Sequence, residues 1–266
     1  MHDTLPSLVE RAIQGSERPL EFYLLEHSRL PGPRANLELG DDLAYLLAKA
    51  SSEHSTRVHE LILQLVAHES EIASSPVPSE FLVFCGVISA GVCAAIQTEW
   101  REQAIALLNR YACSASWRVR EAVATAYQHL LSTHPQQALR SLHTLAVDGD
   151  LLQQRAVVAA IAEPKLLYKP ELLVDACRLQ KTVMERVVQV PSTERKCEDF
   201  RVLRRALGYT LSVVAAADPS AGFALMRECA LWHDDDVVWI LRENLKKKRL
   251  ARFAQDTASI LKLLPS

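Results

Sequence analysis

Cations near the end of the chain are spaced in a way that suits the binding of an anion. Positions 246–249 are four consecutive cations, and Arg242 precedes them. Positions four and seven residues apart share one face of a helix, so Arg242, Lys246 and Arg249 would form one stripe on a helix predicted over residues 236–250. Such a stripe is typical of surfaces that bind phosphates or acidic peptides.

A second set of cations lies on the preceding long helix, which we predict over residues 194–216. Apolar residues at 203, 207, 211 and 214 mark its buried stripe, and this leaves Arg201, Arg204 and Arg205 together on another face. We predict that both sets line one positive, concave groove. Its predicted ligand-binding residues are Arg201, Arg204, Arg205, Tyr209, Arg242, Lys246, Lys247, Lys248 and Arg249.

A structural interpretation of the cation run at 246–249 stays open. Cations at the C-terminal end of a helix interact favourably with the helix dipole, so the run would equally suit a solvated helix end.

Other kinds of site find no support in the sequence. "HELIL" and "HESEI" begin like a helical zinc motif but lack the second histidine four residues on. "HDDD", at residues 233–236, suits a helix cap, where carboxylates accept hydrogen bonds from unpaired N–H groups. With 8 glycines in 266 residues, the chain has no glycine-rich phosphate loop. We expect no catalytic residues, no metal and no cofactor, and thus a protein that is not an enzyme.

The predicted groove needs helices to position it, and the composition favours helix throughout. The chain is 49% hydrophobic but only 6% aromatic, with alanine and leucine dominant and few signals for strands. Prolines at 19, 135, 164, 170, 191 and 219 stand where a helix can begin or is interrupted. We predict an all-α protein of fourteen helices.

The sequence also repeats itself. "QAIALLNRYA" (103–112) and "QALRSLHTLA" (137–146) match at a spacing of 34 residues, and a second apolar helix follows each. Helix pairs of this length cannot bury their apolar stripes alone and must stack on their neighbours. The repeat predicts an α-solenoid of antiparallel helix pairs whose second helices line a concave surface. We expect an acidic helical region over 1–75 and repeats over 76–266, joined as one continuous solenoid.

The repeat resembles the HEAT repeat over residues 99–250, because an apolar residue and an arginine open its second helix. These dipeptides are Val119-Arg120, Leu203-Arg204 and Leu241-Arg242. The resemblance implies that a turn acid pairs with an arginine of its own or the next unit. We therefore expect Asp199 to pair with Arg204 and Asp236 to pair with Arg242.

Residues 203–219, "LRRALGYTLSVVAAADP", are similar to a segment of the HEAT-like DNA alkylation repair glycosylases. Tyr209 stands where that family has an aromatic residue, normally Trp, that frames the damaged nucleotide. Ser212 replaces the family's arginine, and no Trp-Asp-x-x-Asp segment precedes Ser116. The resemblance implies kinship of fold, and we expect no excision of alkylated bases because the carboxylate that the chemistry needs is missing.

Charge is distributed unevenly along the chain, whose net charge is −2. Residues 1–177 carry 14 Lys and Arg against 21 Asp and Glu, whereas residues 178–266 carry 16 against 11. The two parts have opposite signs, which directs an anionic partner to the last third of the chain.

Residues 81–98 are uncharged and just long enough to cross a membrane. Two glycines, a serine and a glutamine lie within them, and a turn-like "SSPVPSE" precedes them. We predict a buried central helix and no membrane partner, with a membrane span as the alternative. The N-terminus lacks the apolar core of a secretory signal, and the six cysteines form no C-x-x-C pair, so we expect a reduced, cytoplasmic protein.

The sequence therefore predicts a non-enzymatic helical-repeat scaffold that binds nucleic acid or an acidic protein through its basic groove. Two alternatives stay open. The first is a glycosylase of the HEAT-like alkylation repair type, which would need an acid near Tyr209. The second is a protein-interaction platform that uses the acidic N-terminal half.

Overall fold

The structure, a computed structural model, describes residues 4–69 and 79–265. Within these ranges the protein is all-α, as the sequence predicts, and contains no strand. The chain divides into two compact units, Met1–His134 and Pro135–Ser266. The predicted boundary between residues 75 and 76 lies outside the described residues.

The first unit is built from helices separated by short connections. Its described helices are α1 (Leu5–Ile13), α2 (Arg18–Glu26), α3 (Leu37–Ala50), α4 (Ser55–Ala67), α5 (Ser79–Ile96), a 3-10 helix (Thr98–Trp100), α6 (Arg101–Tyr111) and α7 (Trp117–Thr133).

Helix α5 is the centre of the first unit, where it contacts α2, α3, α4, α6 and α7. A Cβ atom at Gly91 would lie 2.6 Å from the Cβ of Ala126, so glycine is needed for α5 and α7 to approach this closely. Helix α5 is long and apolar enough to cross a membrane, but 78% of its residues are buried inside the protein. This burial agrees with the predicted central helix.

The second unit contains the predicted basic groove. Its described helices are α8 (Pro135–Asp148), α9 (Leu151–Ile161), α10 (Pro170–Gln189), α11 (Glu198–Ala217), α12 (Pro219–Ala230), α13 (Asp235–Leu245), a 3-10 helix (Lys248–Phe253) and α14 (Ala254–Leu261).

The helices of the second unit pack in a regular order. Helix α10 contacts α8 and α12, while α11 contacts α9 and α13. Asp236, near the start of α13, pairs with Arg204 in the first half of α11, and Asn244, near the end of α13, bonds to Ser212 further along α11. Helices α11 and α13 therefore lie side by side in parallel.

Buried side chains also join the helices of this unit. The Gln180 side chain of α10 donates to the Val158 carbonyl of α9 at 3.3 Å, and the Thr210 hydroxyl of α11 donates to Gln180 at 3.0 Å. Because these polar groups are buried, their hydrogen bonds fix the register of three helices at once.

Helix caps explain several element boundaries. The Asp234 carboxylate accepts hydrogen bonds from the backbone N–H of Asp236 (3.0 Å) and Val237 (3.2 Å), so the capping interpretation of "HDDD" is confirmed. Asn36 caps α3, which begins at Leu37, through its side chain. A side-chain cap of this kind satisfies an N–H group that the helix itself leaves unpaired.

The largest error in the predicted helices concerns the end of α13. The helix was predicted over 236–250, but it ends at Leu245, and a separate 3-10 helix follows at Lys248. Lys247 has extended backbone angles, φ −73° and ψ 129°, which interrupt the α-helix between the two. The i, i+4, i+7 stripe expected for Arg242, Lys246 and Arg249 therefore does not form.

Candidate functional site

The cations after α13 are positioned by a turn and the 3-10 helix. The N–H of Lys247 donates to the Asn244 carbonyl at 3.0 Å, and the N–H of Leu250 donates to the Lys247 carbonyl at 2.9 Å. Leu250 is 1% exposed and anchors this segment in the core. We call the cations of the segment the basic strip, and they are Lys246, Lys247, Lys248, Arg249 and Arg252.

Most of the basic strip has no acidic partner. Lys246 donates to Glu243 at 2.6 Å, and this hydrogen bond lowers the pKa of the Glu243 carboxyl. Within residues 4–69 and 79–265, the side chains of Lys247, Lys248 and Arg249 form no hydrogen bond or ion pair. Their charges are therefore open to a ligand.

Asn244 fixes the end of α13 and hence the start of the basic strip. Its side-chain N–H2 donates to the carbonyls of Leu207 (2.7 Å) and Ile240 (2.8 Å), while its side-chain oxygen accepts from the N–H of Ser212 (2.7 Å). Asn244 is fully buried, so the three hydrogen bonds are shielded from water. The two bonds to Leu207 and Ser212 attach the last turn of α13 to the middle of α11.

Arg252 is the member of the basic strip that the sequence analysis missed. Its guanidinium group donates to the Ala216 carbonyl in the last turn of α11 at 3.0 Å and lies 4.7 Å from the centre of the Phe253 ring. The sequence contained a signal for it, because Arg252 follows Arg249 by three residues, which is one turn of a 3-10 helix.

A second group of charges lies at the start of α13 and is internally paired. Arg195 donates to Asp234 at 2.6 Å and to Asp236 at 3.2 Å, and Arg204 also pairs with Asp236. Burial would lower the pKa of Arg195, but the hydrogen bonds and charges of the two aspartates outweigh it and raise the pKa. We call Arg195, Arg204, Asp234 and Asp236 the acid–arginine cluster.

The arginine pairs expected from the HEAT resemblance differ from those observed. Arg204 was expected to pair with Asp199 and instead pairs with Asp236 on α13, two helices further along the chain. Arg242 was expected to pair with Asp236, but its side chain donates to the carbonyl of Pro265. The difference arises because α11 and α13 lie in parallel contact, which brings the first turn of α13 to Arg204.

Four of the predicted groove residues, Arg201, Arg204, Arg205 and Tyr209, lie on α11, away from its end at Ala217. Arg201 and Arg205 are exposed, and both contact the carboxylate of Glu198. Arg201 precedes Ala216 by 15 residues, which is about 22 Å along the helix axis, and Ala216 contacts Arg252. Tyr209 lies between them and is half-buried.

The predicted groove residues therefore do not all lie together in the structure. It brings Lys246, Lys247, Lys248 and Arg249 together, whereas Arg204 belongs to the acid–arginine cluster. Their common role in binding stays a prediction.

The arginines that define the HEAT resemblance occupy different places in their helices. Arg120 is the fourth residue of α7, whereas Arg204 and Arg242 are the seventh and eighth residues of α11 and α13. Arg120 donates to the carbonyls of Ser114 (2.6 Å) and Ala115 (3.1 Å) in the turn before its helix. Arg120 therefore stabilises a local turn, while Arg204 connects two helices.

An acid that the sequence analysis did not identify lies beside Gly208. A Cβ atom at Gly208 would be 3.2 Å from the Trp239 ring and 3.4 Å from the Cβ of Glu243. Trp239 also stacks under Arg204, whose guanidinium carbon is 4.4 Å from the ring centre. The neighbours of Gly208 come from α13, 31 or more residues along the chain, so no local pattern could have indicated them.

Among the residues that the structure describes, no group of three or more His, Cys, Asp or Glu side chains could hold a metal ion. Comparison with known proteins finds no matching family model, no matching curated protein and no matching solved structure.

Proposed function

We propose that the second unit is a stack of three HEAT-like helix pairs and that it binds a polyanionic macromolecule without transforming it. The pairs are α8 with α9, α10 with α11, and α12 with α13. Contacts of α10 with α8 and α12, and of α11 with α9 and α13, support this stacking. The basic strip, which follows the third pair, is the proposed binding surface.

The observation that carries this proposal is that the side chains of Lys247, Lys248 and Arg249 form no hydrogen bond or ion pair within the described part of the chain. Four adjacent cations repel one another, and a polyanion relieves this repulsion and releases its own counterions on binding. The helix dipole accounts for Lys246 at the end of α13. Its effect falls off within the last turn, so it does not account for Arg249.

The proposal is tested by measuring how the affinity for a fluorescent oligothymidylate depends on salt. We expect binding at low salt that weakens steeply as salt rises. Replacing Lys247, Lys248 and Arg249 together by Ala should reduce the slope of log affinity against log salt by about two units, because each single-strand phosphate contact contributes about 0.7.

A matched control removes the same number of charges elsewhere in the unit. Arg178 is exposed, Lys181 and Arg227 are partly exposed, and each pairs with an acid. Their triple Ala variant should keep the slope of the parent. No binding by the parent at low salt, or an equal loss of slope in both variants, would contradict the proposed function.

Base excision is the second candidate function, and Glu243 is the observation that favours it. Glu243 lies on α13 with its Cβ beside Gly208, and Gly208 belongs to the segment that resembles the alkylation repair glycosylases. Its hydrogen bond to Lys246 lowers the pKa of Glu243 and keeps the group ionised, but it also holds the carboxylate against a cation of the basic strip. For this reason we rank binding above excision.

A further inference from the structure

A cavity of about 540 Å³ opens beside the basic strip. It lies between the segment after α9, the last turn of α11 and the 3-10 helix, and its lining residues include Leu167, Tyr168, Val213, Ala216, Arg249 and Arg252. Its volume falls within the range of about 300–1,000 Å³ that is typical of small-molecule sites. The cavity combines an apolar floor with two cations.

Tyr168 is the most exposed large hydrophobic residue of those that line the cavity. Tyr168 is 86% exposed, while the preceding Leu167 is only 4% exposed and holds the segment against the core. Because its backbone is already anchored, only the side-chain torsions of the ring lose freedom when a flat partner covers it. The ring thus offers a stacking platform at the edge of the cavity.

The two arginines of the cavity differ in how firmly their side chains are held. Arg252 is held by its hydrogen bond to Ala216 and by the Phe253 ring, so its guanidinium group is oriented before any ligand arrives. Arg249 is exposed and forms no hydrogen bond or ion pair within the described residues. An anionic group beside the cavity would therefore meet one pre-oriented donor and one adaptable one.

We propose that this cavity receives an unstacked nucleobase, and that the polyanion bound by the basic strip is a single-stranded nucleic acid. This inference rests on the proposed function and specifies its ligand. Tyr168 stacks on the base, while Arg249 and Arg252 contact the flanking phosphates. Base stacking on an aromatic ring together with backbone contacts by cations is how single strands are bound without sequence preference.

Other polyanions fit these features less well. An acidic peptide would satisfy the arginines but brings no flat ring to Tyr168. A nucleic-acid duplex keeps its bases stacked on one another, so it cannot place one in the cavity without the cost of unpairing.

The experiment compares three ligands by fluorescence anisotropy with the full chain at one low salt concentration. The ligands are a labelled oligothymidylate, an abasic oligonucleotide of the same length and charge, and a hairpin duplex. Replacing Tyr168 by Ala should weaken binding of the oligothymidylate roughly tenfold, since stacking contributes about 1–3 kcal/mol per base. Binding of the abasic strand and the duplex should change less than twofold.

Two further variants separate stacking from general effects. Tyr168→Phe keeps the ring and should bind the oligothymidylate like the parent. Tyr45→Ala removes another exposed tyrosine, in the first unit, and should also leave the affinity unchanged.

Each adverse outcome has a distinct meaning. If Tyr168→Ala weakens the affinity for all three ligands equally, or weakens it for none, the nucleobase site is overturned. The proposed polyanion binding is left in place by either result. If polyglutamate displaces the labelled oligothymidylate at a lower concentration than unlabelled oligothymidylate does, an acidic polypeptide is the partner and the inference is overturned. No binding of any ligand would overturn the proposed function itself.

Discussion

The acid–arginine cluster and the basic strip lie at opposite ends of the same helix, α13, and use similar residues in different ways. In the cluster, two arginines share two aspartates, and Arg195 and Asp236 are mostly buried, with side chains 18% and 14% exposed. In the strip, Lys248 and Arg249 face solvent without an acidic partner in the described chain. Partners, rather than the density of charge in the sequence, distinguish cations that hold the fold from cations that are open to a ligand.

The largest effect is expected from breaking the acid–arginine cluster. Replacing Asp236 by Ala removes the acid that Arg195 and Arg204 share, so the partly buried Arg204 loses its acidic partner and Arg195 keeps only Asp234. We expect the free energy of unfolding of the second unit to fall by about 3 kcal/mol. Hydrogen exchange of the α11 and α13 amides in increasing urea measures this loss for the unit itself.

Asp235 provides the control for that substitution. It is the neighbouring acid in the first turn of α13, but it is exposed. Asp235→Ala should cost at most about 0.5–1 kcal/mol, through the helix dipole alone. Similar losses for both variants would show that the cluster contributes no more to stability than a surface acid does.

A smaller loss of stability is expected where α13 is attached to α11. Asn244→Ala leaves the N–H of Ser212 and the carbonyl of Leu207 buried without these partners. We expect a loss of about 2 kcal/mol in the same hydrogen-exchange measurement. Glu243→Ala, one residue earlier, removes the pair with Lys246 and the attraction to Lys247, and should change stability by less than about 1 kcal/mol. A larger effect of Glu243→Ala than of Asn244→Ala would contradict the attachment.

No effect at all is expected in an assay for base excision. We predict that the pure protein, incubated with duplex DNA containing methylated purines and then treated with hot alkali, yields no cleavage above the buffer control. A carboxylate placed to stabilise a cationic sugar would be worth roughly 3–4 kcal/mol in rate, which is easily detected. Turnover by the parent that is lost in Glu243→Gln would show that Glu243 takes part in catalysis. Helix α13 would then carry a catalytic residue and would not be purely structural.

The helices of this protein could be predicted from the sequence because their limits are local. Pro170 begins α10, Pro219 begins α12, and Asp234 caps α13 through its own side chain. The end of α13 could not be predicted, because lysine and arginine favour helix and nothing nearby stops it. Its end reflects tertiary contacts, namely the bonds of Asn244 to α11 and the burial of Leu250.

The candidate site was predictable only in part, for a similar reason. The cation run was evident in the sequence, but the partner of Arg204 is 32 residues away, on a helix whose contact with α11 no local pattern specifies. Tyr168 was not identified from the sequence, and only the folded chain places it beside Arg249 and Arg252. A sequence therefore indicates where charges are concentrated, and the structure is needed to see which of them are paired.

The most direct test of the difference between paired and unpaired cations is charge reversal at two places in the second unit. One variant carries Lys248→Glu with Arg249→Glu in the basic strip, and the other carries Arg201→Glu with Arg205→Glu near Glu198. Both variants change the net charge by the same amount, so the long-range electrostatic repulsion of a polyanion is the same in the two. We predict that oligothymidylate binding weakens roughly a hundredfold in the strip variant and less than tenfold in the α11 variant. Equal weakening, or a greater loss in the α11 variant, would contradict the assignment of binding to the basic strip.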